Sequence, residues 1–190
     1  MAHPRHELRR GSRGSRERGD CISSGCDRVS GINVTDFAAH AEYVLASDAG
    51  VVVATPPGLT DDQAVAVCDG AITALPFLRD AAHLRAGQSV LVNGAAGAIG
   101  SAAVQFAKHY GATVTAVCSI AKKAVIIFTG LAKPAQMASE MTIIAELAAA
   151  GTLVPVTGAT YPMDHSAAAY QQVLGRKVCS TVITFTSHTA

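Results

Sequence analysis

Aromatic residues are scarce: the chain has no tryptophan, and Phe and Tyr make up 5% of its 190 residues. None falls in the first 20 residues, which are dominated by Arg, Gly, Ser and Glu and show no periodic apolar positions. That stretch reads as a mobile basic tail over residues 1–28. The interleaved Glu7, Glu17 and Asp20 and the missing aromatics argue against an RNA-binding arm, and the acids also argue against a transit peptide. Charge is sparse too, at 15% of residues with a formal net charge of +1. No global field draws in nucleic acid or a membrane surface, so neither is expected as a partner. No uninterrupted apolar run is long enough to span a bilayer, and no apolar segment follows the arginine-rich start, which disfavours a span and a secretory signal. The five cysteines, Cys21, Cys26, Cys68, Cys118 and Cys179, are an odd, scattered set with a single close pair. A finger or ribbon site needs two close pairs, so no zinc is expected, and reduced thiols of a cytoplasmic protein are the plain reading.

What is abundant is apolar surface. Hydrophobic residues are 49% of the chain, enough for a buried core in one domain or one domain plus a fragment. Residues 29–57 are strand-like and turn-punctuated, with short β candidates at 41–45 and 50–54 closed by Pro56-Pro57-Gly58. Then the period changes. Thr60-Asp61-Asp62-Gln63 has the spacing of a capping box, with two acids in the first turn to suit the helix dipole. A second helix is expected from about Thr73, as N-cap, to His83 or Leu84, which would put Pro76 in the first turn. Further on, a helix from about Pro134 to Ala150 carries Met137, Met141, Ile144 and Leu147 on one stripe. Asp164 is placed to cap a short helix ending at Leu174.

The chemistry is concentrated after residue 88. Ser89-Val90-Leu91-Val92-Asn93 reads as a strand buried on both faces and runs directly into Gly94-Ala95-Ala96-Gly97-Ala98-Ile99-Gly100. A helix follows, with Ile99, Ala103, Phe106 and Tyr110 as its apolar stripe, Lys108 and His109 in the last turn and Gly111 as the stop. Residues 113–118 form the next strand. The whole is one parallel βαβ unit of α/β class. Ala95, Gly97 and Gly100 take the three small-residue positions of a dinucleotide fingerprint, with Ala for the first glycine. The first permits the tight turn, Gly97 lets backbone approach a pyrophosphate, and Gly100 lets helix and strand pack closely. Free N–H groups and the positive dipole end at the helix start suit the phosphates. The second strand ends at Val117-Cys118-Ser119 without an acid to hold ribose hydroxyls, and Lys122 and Lys123 follow. A small hydroxyl with nearby cations suits the 2′-phosphate, favouring NADP(H) over NAD(H); a polar turn with solvated lysines fits the same residues.

Several segments together resemble the zinc-independent quinone oxidoreductases, a branch of the medium-chain dehydrogenase/reductase superfamily. They are Ala41-Glu42-Tyr43-Val44, Gly70-Ala71-Ile72-Thr73-Ala74-Leu75, residues 87–100, residues 148–156, Thr160-Tyr161-Pro162-Met163, Gly175-Arg176-Lys177-Val178 and Val182-Ile183-Thr184-Phe185, in the family's order. The resemblance implies a partial Rossmann unit with remnants of a GroES-like β domain, and reduction of a quinone, enone or small carbonyl by hydride from NADPH. In domain terms it implies a tail at 1–28, a GroES-like remnant at 29–70, a truncated Rossmann dinucleotide-binding domain at 71–150, and a return to the GroES-like part at 151–190. It also places Thr73 near the nicotinamide and Ser119 near the adenosine phosphate, beside cofactor contacts at Asn93, Gly94, Ala95, Ala96, Gly97, Ala98, Ile99 and Gly100.

Two departures from that family are expected. The first part of the GroES-like domain is replaced by the basic tail, and with it goes any match to catalytic-zinc segments. The second is geometric. Ala124-Val125-Ile126-Ile127-Phe128 reads as a strand only five residues after Cys118, whereas a crossover between parallel strands needs a dozen or more. The middle of the Rossmann domain is therefore expected to be deleted, leaving either a reductase or a catalytically inactive fragment that keeps the phosphate-binding turn. The strand at 124–128 then has few neighbours and is a candidate homodimer edge. His40, His83, His109 and His165 show no metal or catalytic spacing. Nothing selects Tyr43 or Tyr161 as a proton donor over a packing role, so the catalytic residues stay unassigned.

Overall fold

The computed structural model describes residues 29–32, 50–118, 134–174 and 180–185. Within them three strand pairs are joined by helices. Strands β1 (Val29–Ile32) and β2 (Val51–Ala54) pair antiparallel. Strands β3 (Ser89–Asn93) and β4 (Thr113–Val117) pair parallel, from Ser89↔Thr113 to Asn93↔Val117. Strands β5 (Thr157–Pro162) and β6 (Ser180–Thr184) pair parallel, with an irregularity between Thr157 and Thr160. The helices are α1 (Asp61–Pro76), α2 (Ala98–His109), α3 (Pro134–Ala149) and α4 (Ser166–Leu174). The α/β class and the β3-α2-β4 unit expected from the sequence are both present. The strand candidates at 41–45 and 124–128 lie outside the described residues.

Helix α1 starts where the capping box placed it. The Gln63 N–H donates to Thr60 Oγ1 at 3.3 Å, and the Thr60 N–H donates to Gln63 Oε1 at 2.9 Å. No second helix begins at Thr73. Residues 61–76 form one helix, and Thr73 is in its interior. An N-cap must leave helical dihedrals, and nothing before Pro76 interrupts the backbone ladder. Pro76 removes only one donor, and the chain answers by widening into a π-helical turn, Phe77–Ala81. There the Ala82 N–H donates to the Phe77 carbonyl at 2.9 Å, five residues back. The segment ends at His83, a non-glycine residue with φ of 46°.

The core lies where α1, α2 and α3 meet β2. Phe106 of α2, Leu75 of α1, Leu78 of the π turn, Met141 and Ile144 of α3 and Val51 of β2 are buried together. Met137 and Leu147 pack against this cluster, so the stripe read along α3 faces inward. The helix ends on Gly151 at φ +70°, whose N–H donates to the Ala148 carbonyl. Among the described residues one charge is buried. Glu140 of α3 is 1% exposed, and its Oε1 accepts from Arg79 Nη2 at 3.0 Å and from Gln136 Nε2 at 3.1 Å. Its Oε2 has no hydrogen-bond partner among the described residues. The same guanidinium grips Asp80, through Nε–Oδ1 at 2.6 Å and Nη2–Oδ2 at 2.7 Å.

Three local expectations are corrected. Strand β3 is not buried on both faces: Val92 is buried, but Leu91 on the opposite face is 65% exposed. Among the described residues only β4 pairs with it. On α2 the expected stripe holds at Phe106, which is buried, and at Ala103 and Tyr110, which pack against the core, but not at Ile99, which is exposed in the first turn; Gly100, Ala102 and Ala107 are buried beside Phe106. Asp164 does not cap α4; it sits inside a short 3-10 turn, Met163–His165, that leads into the helix.

Candidate dinucleotide-binding site

The turn between β3 and α2 is held from below by β4. The N–H groups of Gly94 and Ala95 both donate to the Val117 carbonyl, at 2.9 and 3.1 Å, and the Gly97 N–H donates back to the Gly94 carbonyl at 3.0 Å. Gly94 carries the left-handed conformation, with φ of +76°, so the conformational demand falls there rather than at Ala95, which is buried beneath the turn. The sequence placed that demand one residue too late.

Helix α2 then opens on Gly97 as N-cap, with extended dihedrals (φ −83°, ψ 170°) and no side-chain cap. The N–H groups of Ala98, Ile99 and Gly100 in its first turn have no intrahelical acceptor, as at every helix start. Capping residues usually satisfy one or two of these donors; here none does. The first turn carries no acid, while Lys108 and His109 sit in the last. Among the described residues, no bond to these donors is recorded, and with the positive dipole end they face the exposed Gly97, where an anion could approach. A side chain at Gly97 would meet only the Gly94 carbonyl, at the ordinary contact distance of 3.5 Å. Gly100 is different: a Cβ there would lie 2.1 Å from the Gly94 oxygen and 2.7 Å from the Ala95 Cα. Gly100 is demanded by helix-to-strand packing, as the fingerprint implies, whereas the space at Gly97 belongs to whatever approaches the turn.

Of the residues picked from the sequence, Asn93, Gly94, Ala95, Ala96, Gly97, Ala98, Ile99 and Gly100 come together in this one turn. Asn93 and Gly94 are exposed at the strand end, Ala96 and Ala98 are half-buried, and Ile99 borders the helix tip. Thr73 is on α1, half-buried, one helical turn beyond Gly70 and on the same face. Gly70 touches the tip directly: a Cβ there would lie 2.4 Å from the Ala98 oxygen and 3.2 Å from the Ile99 nitrogen. Nothing in the sequence pattern singles Gly70 out beyond its place in the family-like segment. The usable signal was a glycine inside a well-capped helix, where it normally destabilises. Ser119, Lys122 and Lys123 lie outside the described residues. Among the described residues no group of three His, Cys, Asp or Glu could hold a metal ion, and no helix is long and apolar enough to cross a membrane.

A parallel βαβ unit with a glycine turn at the strand-to-helix junction is an α/β arrangement of the Rossmann type. No family model matches the chain. In sequence it is similar to erythronolide synthase EryA2 of Saccharopolyspora erythraea, 40% identical over 112 residues, which is 59% of this chain and 3% of that protein. The chain spans only 3–4% of the length of the curated relatives first matched. In structure it is similar to the quinone oxidoreductase from Coxiella burnetii, with a TM-score of 0.66 at 18% identity, over 82% of this chain and 71% of that one. It is also similar to the JamJ enoyl reductase, with a TM-score of 0.58 at 16% identity, over 71% of this chain and 66% of that one. The chain shares the α/β fold of these solved structures.

Proposed function

We propose that this chain is the nucleotide-binding part of an oxidoreductase that uses NADPH to reduce an enone, quinone or small carbonyl by hydride transfer. The carrying observation is the uncapped start of α2 beside Gly97, with the turn pinned to β4. These residues fit a diphosphate: first-turn donors without an intrahelical acceptor, no competing acid in the first turn, and, at Gly97, the glycine of the turn that neither φ nor packing demands, only an ordinary contact with the Gly94 carbonyl. The amides of Ala98, Ile99 and Gly100 would hold the diphosphate, and Gly94 and Gly100 would keep them oriented. When bound, the nicotinamide supplies the hydride; the protein supplies position and electrostatics. Within the three substrate classes the enone is favoured by the enoyl reductase among the structural neighbours and by the polyketide synthases among the sequence relatives. NADPH is preferred to NADH on Ser119, Lys122 and Lys123, and a cytoplasmic location accompanies this reading.

A second reading is favoured by one observation, the face of the β3–β4 pair on which Leu91 is exposed. Parallel strands are ordinarily buried on both faces. A catalytically inactive chain that keeps the phosphate-binding turn, paired as a homodimer through residues 124–128, is consistent with that face. One experiment separates the two. NADPH and NADH are titrated against the melting temperature, and absorbance of the reduced nicotinamide is followed with a panel of enones and quinones. The first reading expects stabilisation, stronger with NADPH, together with turnover. Stabilisation without turnover at high enzyme concentration selects the second. No stabilisation by either nucleotide removes both.

A further inference from the structure

Gly70 sits inside α1, and none of the usual reasons for a glycine applies there. Its φ is not positive, and it is neither cap nor turn. Inside a helix a glycine is destabilising relative to alanine. What it permits is contact. A Cβ at position 70 would lie 2.4 Å from the carbonyl oxygen of Ala98, 2.6 Å from its carbonyl carbon and 3.2 Å from the Ile99 nitrogen. All three are backbone atoms, so no side chain can rotate away to make room. They also belong to the peptide joining the first two residues of α2, the turn whose N–H groups face the anion site.

That first turn is held from three sides. Strand β4 grips the preceding loop through the Val117 carbonyl. The Gly94–Ala95 backbone presses against Gly100. Helix α1 presses against Ala98 and Ile99 through Gly70. The first two contacts lie within the βαβ unit; the third comes from a helix outside it. The same helix holds Leu75 in the core and carries Thr73 one turn further on.

We propose that Gly70 is a positioning residue for the nucleotide diphosphate. By letting α1 rest on the Ala98–Ile99 peptide, it fixes the direction in which the first-turn amides of α2 point. This rests on the nucleotide-binding reading above and adds to it that α1 is mechanically part of the phosphate site. A methyl group at position 70 pushes that peptide away from α1 and turns the amides off their target. Its effect therefore falls on diphosphate affinity, beyond any loss of stability.

The test compares the full chain with Gly70→Ala and with Cys68→Ala, a substitution at a buried residue of the same helix whose thiol donates to the Ala64 carbonyl one turn back. Affinities for NADPH and for inorganic pyrophosphate are measured by calorimetry at a temperature where circular dichroism shows each variant folded. The expected result is a loss of tenfold or more in both affinities for Gly70→Ala, with Cys68→Ala within twofold of the natural chain. Equal affinities in Gly70→Ala and the natural chain overturn the positioning role alone. A natural chain that binds neither ligand overturns the nucleotide reading and this role with it. If Gly70→Ala does not fold, hydrogen exchange on the natural chain decides. Saturating NADPH should slow exchange in α1 around residues 70–74 as well as at residues 96–100. Slowing confined to residues 96–100 overturns the proposal.

Discussion

Breaking the contact between Arg79 and Glu140 should be far more damaging than replacing the carboxylate itself. Glu140 is almost wholly buried, and its only charged partner among the described residues is Arg79 Nη2 at 3.0 Å. Removing one member of a buried pair leaves an uncompensated charge, a loss of about 3–5 kcal/mol. The Arg79 side chain is 35% exposed, so water reaches one side of the pair and the lower end, about 3 kcal/mol, applies to Arg79→Ala. Glu140→Met acts in the opposite direction. It removes Oε2, which has no partner among the described residues, and it leaves the guanidinium its two bonds to Asp80. The thioether chain has a volume similar to that of the buried glutamate side chain, so stability should stay within about 1 kcal/mol of the natural chain. The double variant Arg79→Ala with Glu140→Met should recover most of the loss. Urea unfolding followed by circular dichroism at neutral pH reads all three, and for a chain of this size each kcal/mol moves the melting point by roughly 2–4 °C. An Arg79→Ala variant as stable as the natural chain, or a Glu140→Met variant less stable than Arg79→Ala, would refute the reasoning.

Two further outcomes follow from the same geometry. The Asp80 carboxyl is held below its ordinary value of 3.8, chiefly by the hydrogen bond from Arg79. Its contribution to stability is complete above that value and disappears as pH falls through the lower folded one, so Asp80→Asn should lose stability at neutral pH but not in strong acid. The pair is exposed to solvent, so the difference should stay below about 1 kcal/mol in urea titrations across acid pH. Gly97→Ala should melt within about 2 °C of the natural chain, because its Cβ meets only the Gly94 carbonyl at an ordinary contact distance and its dihedrals are ordinary, yet bind NADPH at least tenfold more weakly by calorimetry. Equal affinity in that variant would mean the diphosphate does not approach Gly97.

The parts legible in the sequence are those fixed by short-range chemistry. The Thr60 capping box, the β-branched run of β3, the glycine turn and the Gly111 and Gly151 stops each depend on neighbours within a few residues, and each lies where it was read. Pro76 was misread because a proline marks where a ladder loses a donor, not whether the helix begins or ends there. The chain had a third course, a π turn, that needs Phe77 and Ala82 to meet. Burial of β3 was misjudged because a β-branched run says a strand can be covered, whereas whether it is covered depends on distant segments. The roles of Gly70 and Glu140 were illegible for the same reason: one depends on Ala98, the other on Arg79, and both contacts are set by packing between helices.

The central claim is that the first-turn amides of α2 hold a diphosphate, and amide-resolved NMR tests it most directly. Titrating ADP and, separately, adenosine into the full chain should move the resonances of Ala96, Ala98, Ile99 and Gly100 with ADP and leave them in place with adenosine at the same concentration. Shifts that are absent there with ADP, or as large with adenosine, would contradict the account.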